Sequence, residues 1–454
     1  MATLYDSLTA WLDKAVAKTM KREHPFVISV SGTVGKSSAK QAIKALLASA
    51  KEEMGDCVRT SAKNYNNELG VPLTIFNLPA PGRSPFAWLH LLWRAWLTSI
   101  GVIHTGVKTF VLELGVDKPR DMETLLSMVD PDIAVITAVT PDDPTVAPSH
   151  TSNFDSIDAL AEEESLPVQK MKQSGTVVLN ADDRRVFAMR HTTHAHVLTF
   201  GETDDADVRL VRTTVTCESG AYGRVPVGLE VELCVYQRPV TLFLPGIFGR
   251  SIGYVMAAAA SVAEALDLPI ERIAELPGHF TPMPGRARII PGVKFTTLFD
   301  DTYNASPAAV ISAIQDLHAL ALDPSQRRIA CIGEMRELGA QEEMLHRRIG
   351  QEVAKNGIDL FVACGTFCGA MADAARVAGM REEQIKTFDD VPEVRLFLEE
   401  WIKPGDVILA KGSEGKSDPR GCRMERVIKK LMADPTRAKD LLCRQDETWE
   451  KYRV

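Results

Sequence analysis

The feature that most constrains this chain is the run Phe26-Val-Ile-Ser-Val-Ser-Gly32-Thr-Val-Gly35-Lys36-Ser37-Ser38. It passes from apolar, strand-forming residues into a glycine-bounded turn that ends in Gly-Lys-Ser. The apolar part suits a buried parallel strand, and the glycines let backbone N–H groups converge on an anion. Ala39-Lys-Gln-Ala-Ile-Lys-Ala-Leu-Leu continues at helical period and brings the positive end of a helix to the same point. The combination predicts a nucleoside-triphosphate phosphate cradle built from Gly32, Thr33, Gly35, Lys36, Ser37 and Ser38. Lys36 neutralises phosphate charge in that reading, and Ser37 ligates Mg²⁺. Fewer residues separate Gly32 from Gly35 than separate the glycines of the general phosphate loop, which points away from the generic nucleotide hydrolases.

A chain of 454 residues can bury the cores of two or three domains. Its formal net charge of −8 argues against a nucleic-acid partner, which calls for a basic surface. Cysteines at 57, 217, 234, 331, 364, 368, 422 and 443 include no Cys-x-x-Cys pair, so neither a zinc ribbon nor a disulfide framework is indicated, and reduced thiols fit a cytoplasmic location. Near the amino terminus Asp6, Asp13, Lys14 and Lys18 interrupt the apolar residues, which is unlike a signal peptide. Leu4, Leu8, Trp11, Leu12, Ala15, Val16 and Met20 recur at helical spacing and predict an amphipathic helix within 1–24. Residues 86–103 are the most hydrophobic stretch and are rich in tryptophan. The stretch is short for a membrane span and carries His90 and Arg94, so a buried or partner-facing helix is expected rather than stable membrane insertion. Peripheral contact of 84–106 with a membrane surface or a lipid-linked substrate is the other reading.

From residue 26 to about 200, strand-like runs at 110–115, 133–137 and 176–180 alternate with helical patterns, which implies an α/β fold with a mostly parallel sheet. Residues 206–245 read as a small antiparallel β addition, followed by an alanine-rich helix at 254–266. Pro277, Gly278, Pro282, Pro284 and Gly285 then mark a domain linker. A second α/β unit follows, with strands at 295–299, 328–332, 360–364 and 407–410. The expected organisation is an N-terminal helix (1–24), a central P-loop ATPase domain (25–284) and a Rossmann-like C-terminal α/β domain (285–454).

Glu113 ends an apolar strand, where a carboxylate can hold Mg²⁺ from the side opposite Ser37. A strand-end glutamate paired with a lysine is the alternative; beside a phosphate loop the metal role is preferred. His150, taken alone, is a loop histidine, and Glu162-Glu163-Glu164 is a solvated helix face. Asp300-Asp301-Thr-Tyr303-Asn304-Ala-Ser-Pro307 crowds polar groups at a strand's carboxyl end, where open α/β sheets bind ligands, although a tight turn with an Asp N-cap would read the same way. Lys411-Gly412-Ser413 ends another strand of that unit and suits an anion.

Together these segments resemble the Mur ligase family, and within it the branch that adds D-alanyl-D-alanine to a UDP-muramyl tripeptide. The resemblance rests on Gly32–Ser38, Asn64-Tyr-Asn66-Asn67-Glu-Leu-Gly-Val-Pro, Glu113-Leu-Gly115, Asn180-Ala-Asp-Asp183, Pro284-Gly-Arg286, Asp300–Pro307, Gly333-Glu-Met-Arg-Glu-Leu-Gly339 with His346, and Lys411-Gly-Ser413 with Met424-Glu425. It implies an ATP- and Mg²⁺-dependent ligase that phosphorylates a carboxylate and couples the acyl phosphate to an amine, here D-Ala-D-Ala or a similar dipeptide. By the same resemblance Lys36 is catalytic, Ser37 and Glu113 hold one Mg²⁺, and His150 holds a second. Arg286, Asp301 and Asn304 meet the nucleotide, and Asn66, Asn67, Lys411 and Ser413 meet the substrate.

Three departures refine that expectation. The family's carbamylated lysine, about fourteen residues after the histidine, is replaced by Glu164, which is expected to supply its negative charge and to act as a catalytic and metal-binding group. No adenine-binding asparagine precedes the alanine-rich helix, where Gly249-Arg-Ser-Ile-Gly-Tyr254 stands. Only about 25 residues precede the first strand, so the separate UDP-sugar-binding domain of the family is expected to be missing. The alternatives are the same chemistry on a polyglutamate, lipid-linked or tetrapyrrole carboxylate, or a non-catalytic nucleotide-binding partner subunit. A monomer acting on small molecules is expected.

Overall fold

The computed structural model describes residues 4–55, 57–61, 65–139, 153–413, 422–446 and 449. Two sheets organise it. The first contains β1 (Phe26–Ser31), β2 (Val58–Thr60), β3 (Thr109–Glu113), β4 (Ile133–Ile136), β5 (Thr176–Asn180), β6 (His196–Gly201), β7 (Val208–Gly220), β8 (Gly223–Val235) and β9 (Arg238–Pro245). Their order is β2-β3-β1-β4-β5-β6-β7-β8-β9. The strands from β2 to β6 pair in parallel, and β7, β8 and β9 pair antiparallel as a continuation of the same sheet.

Residue pattern accounts for the difference between the two halves. Val27, Ile28, Val30, Phe110, Val111, Leu112 and Ile133–Ile136 are all buried, the continuous apolar run that a strand needs when helices cover both faces. In β9, by contrast, Val240, Leu242 and Leu244 point inward while Thr241 and Phe243 face out. The helix Arg250–Ala265 packs against the helix Lys36–Ser49 and against β6 and β7. Ala257–Ala260 are buried along it, so small side chains permit the close approach.

The second sheet contains β10 (Arg288–Pro291), β11 (Thr297–Asp301), β12 (Arg328–Ile332), β13 (Leu360–Cys364), β14 (Ile385–Phe388) and β15 (Val407–Lys411). Its order is β10-β11-β15-β12-β13-β14, with only β10 antiparallel to its neighbour. Phe295, expected to open a strand, instead closes the single-turn helix Val293–Phe295 with its ring 70% exposed, and β11 begins two residues later.

Both sheets carry a topological switch point, the place where open α/β sheets bind ligands. In the first, β1 lies between β3 and β4, so the phosphate-loop sequence emerges where neighbouring connections diverge. In the second, β15 lies between β11 and β12, and Lys411 is in register with both Asp301 and Ile332. The two sheets meet through the bridge Ile247↔Arg288 and the stacked rings of Phe248 and Phe299, 4.2 Å apart. The Arg250 N–H also donates to Asp316 Oδ1 at 3.1 Å.

Candidate active site

The loop after β1 has a conformation that its glycines make possible. Gly32 has φ 118°, and a Cβ there would lie 2.5 Å from Thr137 Oγ1 and 2.7 Å from the Ala138 carbonyl oxygen. Gly35, with φ 84°, leads directly into the Lys36–Ser49 helix, whose first turn has no side-chain cap. A helix N-terminus without a side-chain cap is the end that suits an anion. Thr33 is turned the other way: its N–H and hydroxyl both donate to the Ala138 carbonyl, at 2.7 and 3.2 Å. The Lys36 ammonium donates to the Gly32 carbonyl across the loop.

Beneath the loop lies Glu113. Its Oε1 accepts from the Ser37 hydroxyl at 3.0 Å, and its Oε2 accepts from the Lys40 ammonium at 3.0 Å. Asn66 Nδ2 donates to Oε1 at 3.3 Å, and Lys40 also reaches Ser61 Oγ at 2.7 Å. Burial alone would raise the Glu113 carboxyl, but the positive charges of Lys40 and Lys36 outweigh it and hold the group below its ordinary value. The pairing with a lysine, the alternative weighed for Glu113, is thus present together with the approach to Ser37. The two oxygens face different partners, and the hydroxyl–carboxylate pair on the Oε1 side is the hard donor set that Mg²⁺ takes.

Glu164 comes to the same loop from the Ile157–Gln169 helix. This corrects the reading of Glu162–Glu164 as a solvated face: Glu162 is exposed, but Glu164 is buried and its Oε2 accepts from the Gly32 N–H at 2.9 Å. Glu163 accepts from the Met122 N–H at 2.9 Å. Burial raises the Glu164 carboxyl against the opposing pull of Lys36 and of the Gly32 N–H. His150 lies outside the described residues.

Asn67 Oδ1 accepts from Gly70 N–H at 2.9 Å, where the Gly70–Phe76 helix begins. Its neighbour Asn66 is the one directed at Glu113.

In the second sheet, Lys411 is buried and ion-paired with the Asp301 carboxylate, and it also donates to the Asn304 carbonyl at 3.0 Å. Ser413 ties three strand ends together: its hydroxyl donates to the Ala305 carbonyl at 3.0 Å and accepts from the Arg336 N–H at 3.2 Å, and its N–H reaches the Glu334 carbonyl at 2.9 Å. Asp300 does not cap the following helix, whose N-cap is Ser306. It accepts instead from the Thr302 hydroxyl at 2.6 Å. The Arg286 guanidinium lies 4.3 Å from the Tyr303 ring centroid, and the Asn304 side chain is exposed at the same turn.

His346 organises the loop after β12. Its Nε2 accepts from the Met335 N–H at 3.0 Å and its Nδ1 lies 2.7 Å from the Glu342 carbonyl, so the ring is the neutral tautomer protonated on Nδ1. Where an adenine-binding asparagine was sought, the Tyr254 hydroxyl donates to Asp182 Oδ2 at 2.8 Å and Arg250 pairs with Glu202.

Reading by motif missed Lys40 and Thr137. Lys40 stands one helical turn after Lys36, so the helical period already places both ammonium groups on one face. Thr137, the residue just past β4, donates its hydroxyl to the carbonyls of Ser31 and Val34 and so clamps the phosphate loop. Asn180 Nδ2 in turn holds the Thr137 carbonyl at 2.9 Å, and Asp183 Oδ2 holds the Val139 N–H at 2.7 Å.

Comparison with known proteins places this geometry in a family. Residues 30–231 match the Mur ligase middle domain, and residues 285–414 match the Mur ligase glutamate ligase domain. The UDP-N-acetylmuramoyl-tripeptide–D-alanyl-D-alanine ligase of Bacillus subtilis is 24% identical over 431 residues, which cover 95% of this chain and 80% of that protein. A crystal structure of MurF from Acinetobacter baumannii superposes with TM-score 0.71 at 21% identity, covering 94% of this chain and 81% of that one. MurF from Thermotoga maritima in complex with ADP gives TM-score 0.68 at 20% identity, covering 95% and 84%. The two matched domains span most of the sequence, with the loop of Gly32–Ser38 in the first and Asp301 and Lys411 in the second: this chain belongs to the Mur ligase family.

Proposed function

We propose that the protein is a cytoplasmic, ADP-forming ligase that joins a muramyl-peptide carboxylate to the amine of D-Ala-D-Ala or a similar dipeptide, working as a monomer with ATP and Mg²⁺. The observation that carries this reading is the convergence of Ser37, Glu113 and Glu164 on one phosphate loop. The γ-phosphoryl group of ATP passes to the carboxylate oxygen, giving an acyl phosphate and ADP. The amine then attacks the carbonyl carbon, phosphate leaves, and the nitrogen sheds a proton as the amide forms. Mg²⁺, when bound, neutralises the charge of the phosphates.

Lys36 and the first-turn N–H groups of its helix hold the phosphates. Ser37 and Glu113 would hold one Mg²⁺, while Lys40 holds the other oxygen of Glu113 and so fixes its carboxylate. Glu164 and His150 are assigned to a second ion, with Glu164 providing the charge directly. Arg286, Asp301 and Asn304 receive the base and ribose. Asn66 faces the substrate beside Glu113, whereas Asn67, Lys411 and Ser413 act by holding the backbone around them. Exclusion of water from the closed site protects the acyl phosphate.

The test is ADP release by the purified chain with UDP-muramyl tripeptide and D-Ala-D-Ala, with mass analysis of the product. Amine-dependent ADP release with a product heavier by one dipeptide supports the reading. No turnover with any carboxylate–amine pair sinks it in favour of a nucleotide-binding subunit.

A further inference from the structure

The helix Pro85–Ser99 is apolar on two sides. Leu91, Ala95 and Thr98 are buried against the domain, while Phe86, Leu89, Trp93, Trp96, Ile100 and Val102 form an outward stripe, from 46% exposed at Trp96 to 83% at Phe86. A contiguous exposed stripe of this kind marks a contact surface rather than ordinary surface scatter.

The helix lies side by side with Leu4–Glu23 in the same direction: the Tyr5 and Trp88 rings are 6.0 Å apart at one end, and Arg22 Nη1 reaches the Ser99 carbonyl at 2.9 Å at the other. The neighbour adds exposed Trp11 and three exposed lysines, Lys14, Lys18 and Lys21. Charge selects the occupant. In a chain of net charge −8, no aspartate or glutamate occurs between Glu68 and Glu113, whereas Arg83, Arg94 and Lys108 do. Arg83 and Lys108 are exposed. Of the acidic groups at the pair, Asp6 and Glu68 influence Tyr5 at its far end, Asp13 is half-buried, and Glu23 is taken up by Arg22 and the Thr105 hydroxyl.

We propose that this helix pair docks the protein on an anionic lipid surface, with Trp93, Trp96 and Phe86 entering the headgroup boundary and the lysines of the neighbouring helix meeting lipid phosphates. Tryptophan favours that boundary, and basic residues beside an apolar face supply the attraction to anionic lipid. The contact is peripheral: the helix has 15 residues, and among the described residues no helix is long and apolar enough to cross a membrane. Docking goes beyond the ligase reading, and its test measures no turnover.

The full chain is floated with vesicles of phosphatidylglycerol and phosphatidylcholine, and separately of phosphatidylcholine alone. The expected result is flotation with the anionic vesicles only, weakened by salt, with tryptophan emission shifted to the blue and quenched by brominated acyl chains. W93E/W96E, at solvent-exposed positions, should lower vesicle binding about tenfold or more with the melting temperature unchanged. The quenching in the unaltered chain decides the matter should that variant fold poorly. Absence of flotation on anionic vesicles overturns the proposal, as does flotation without quenching. A reversible dimer without lipid, abolished by W93E/W96E, assigns the face to a second copy and overturns it too.

Discussion

Lys40 Nζ and Glu113 Oε2 form an ion pair 3.0 Å long in which the side chains are 1% and 2% exposed. Breaking such a pair from one side leaves a buried charge without compensation, which costs about 3–5 kcal/mol. K40M should therefore lower unfolding stability by an amount of that order and raise the Glu113 carboxyl. The double variant K40M/E113Q should regain much of the stability, because it leaves no buried charge, yet remain inactive. Denaturant unfolding of the two variants provides the check, and a K40M no less stable than the double variant would refute the pairing argument.

Glu164 Oε2 takes the Gly32 N–H, and the helix 157–169 holds the carboxylate in place. E164Q keeps an acceptor for that N–H and removes the charge, so its fold should survive while ADP release falls on the order of 10²-fold or more. Because burial raises this carboxyl in the metal-free chain, Mg²⁺ affinity should fall toward acid in the wild type and lose much of that dependence in E164Q. E164K restores the residue type of the family and should depend on added bicarbonate for activity. Full activity in E164Q would remove Glu164 from the chemistry.

The phosphate loop was legible because its requirements are local: Gly32 and Gly35 adopt left-handed φ values, and the helix that follows has a regular apolar period. Strands β3, β4 and β5 were legible for a related reason, since burial on both faces demands unbroken apolar runs. The edge strands β2, β10 and β14 were not singled out, being three or four residues long and only partly buried. Side-chain partnerships across the sheet were less accessible still. Glu164 sits 132 residues from Gly32, and Lys411 sits 110 from Asp301, so each contact is created by topology and not by neighbouring sequence. Glu162–Glu164 shows the limit: three identical residues read as one wet face, while the helix turns the third inward.

Gly32 supplies the sharpest steric test. A methyl group at that position meets Thr137 Oγ1 at 2.5 Å and two Ala138 backbone atoms within 2.9 Å, on a backbone with φ 118°. G32A should displace the loop from the β4 end and lose roughly 1–3 kcal/mol of stability. ATP binding should weaken more than the fold does, which calorimetry on the folded variant would measure. Wild-type ATP affinity in G32A would mean that this close approach has no role in shaping the cradle.

Two buried groups, Asp300 in β11 and His346 in the helix Glu342–Lys355, should give the stability curve opposite slopes. Asp300 is fully buried with Oδ2 lacking a partner among the described residues, and burial pushes its carboxyl from 3.8 up to about 7, against the pull of the Thr302 hydrogen bonds. Between those values the native state keeps a proton that the unfolded chain releases, so stability falls as pH rises through the window, by about 1–4 kcal/mol. His346 works the other way: burial holds its ring below 6.5, so the unfolded chain takes the proton first and stability falls as pH drops below that value. D300N should flatten the fall on the rising side while leaving the acid loss in place. H346Q should remove the acid loss while weakening the bond to Met335 N–H. Urea midpoints measured from pH 4 to 8 on the three proteins separate the two, and a D300N curve parallel to wild type throughout would show that Asp300 stays ionised in the native state.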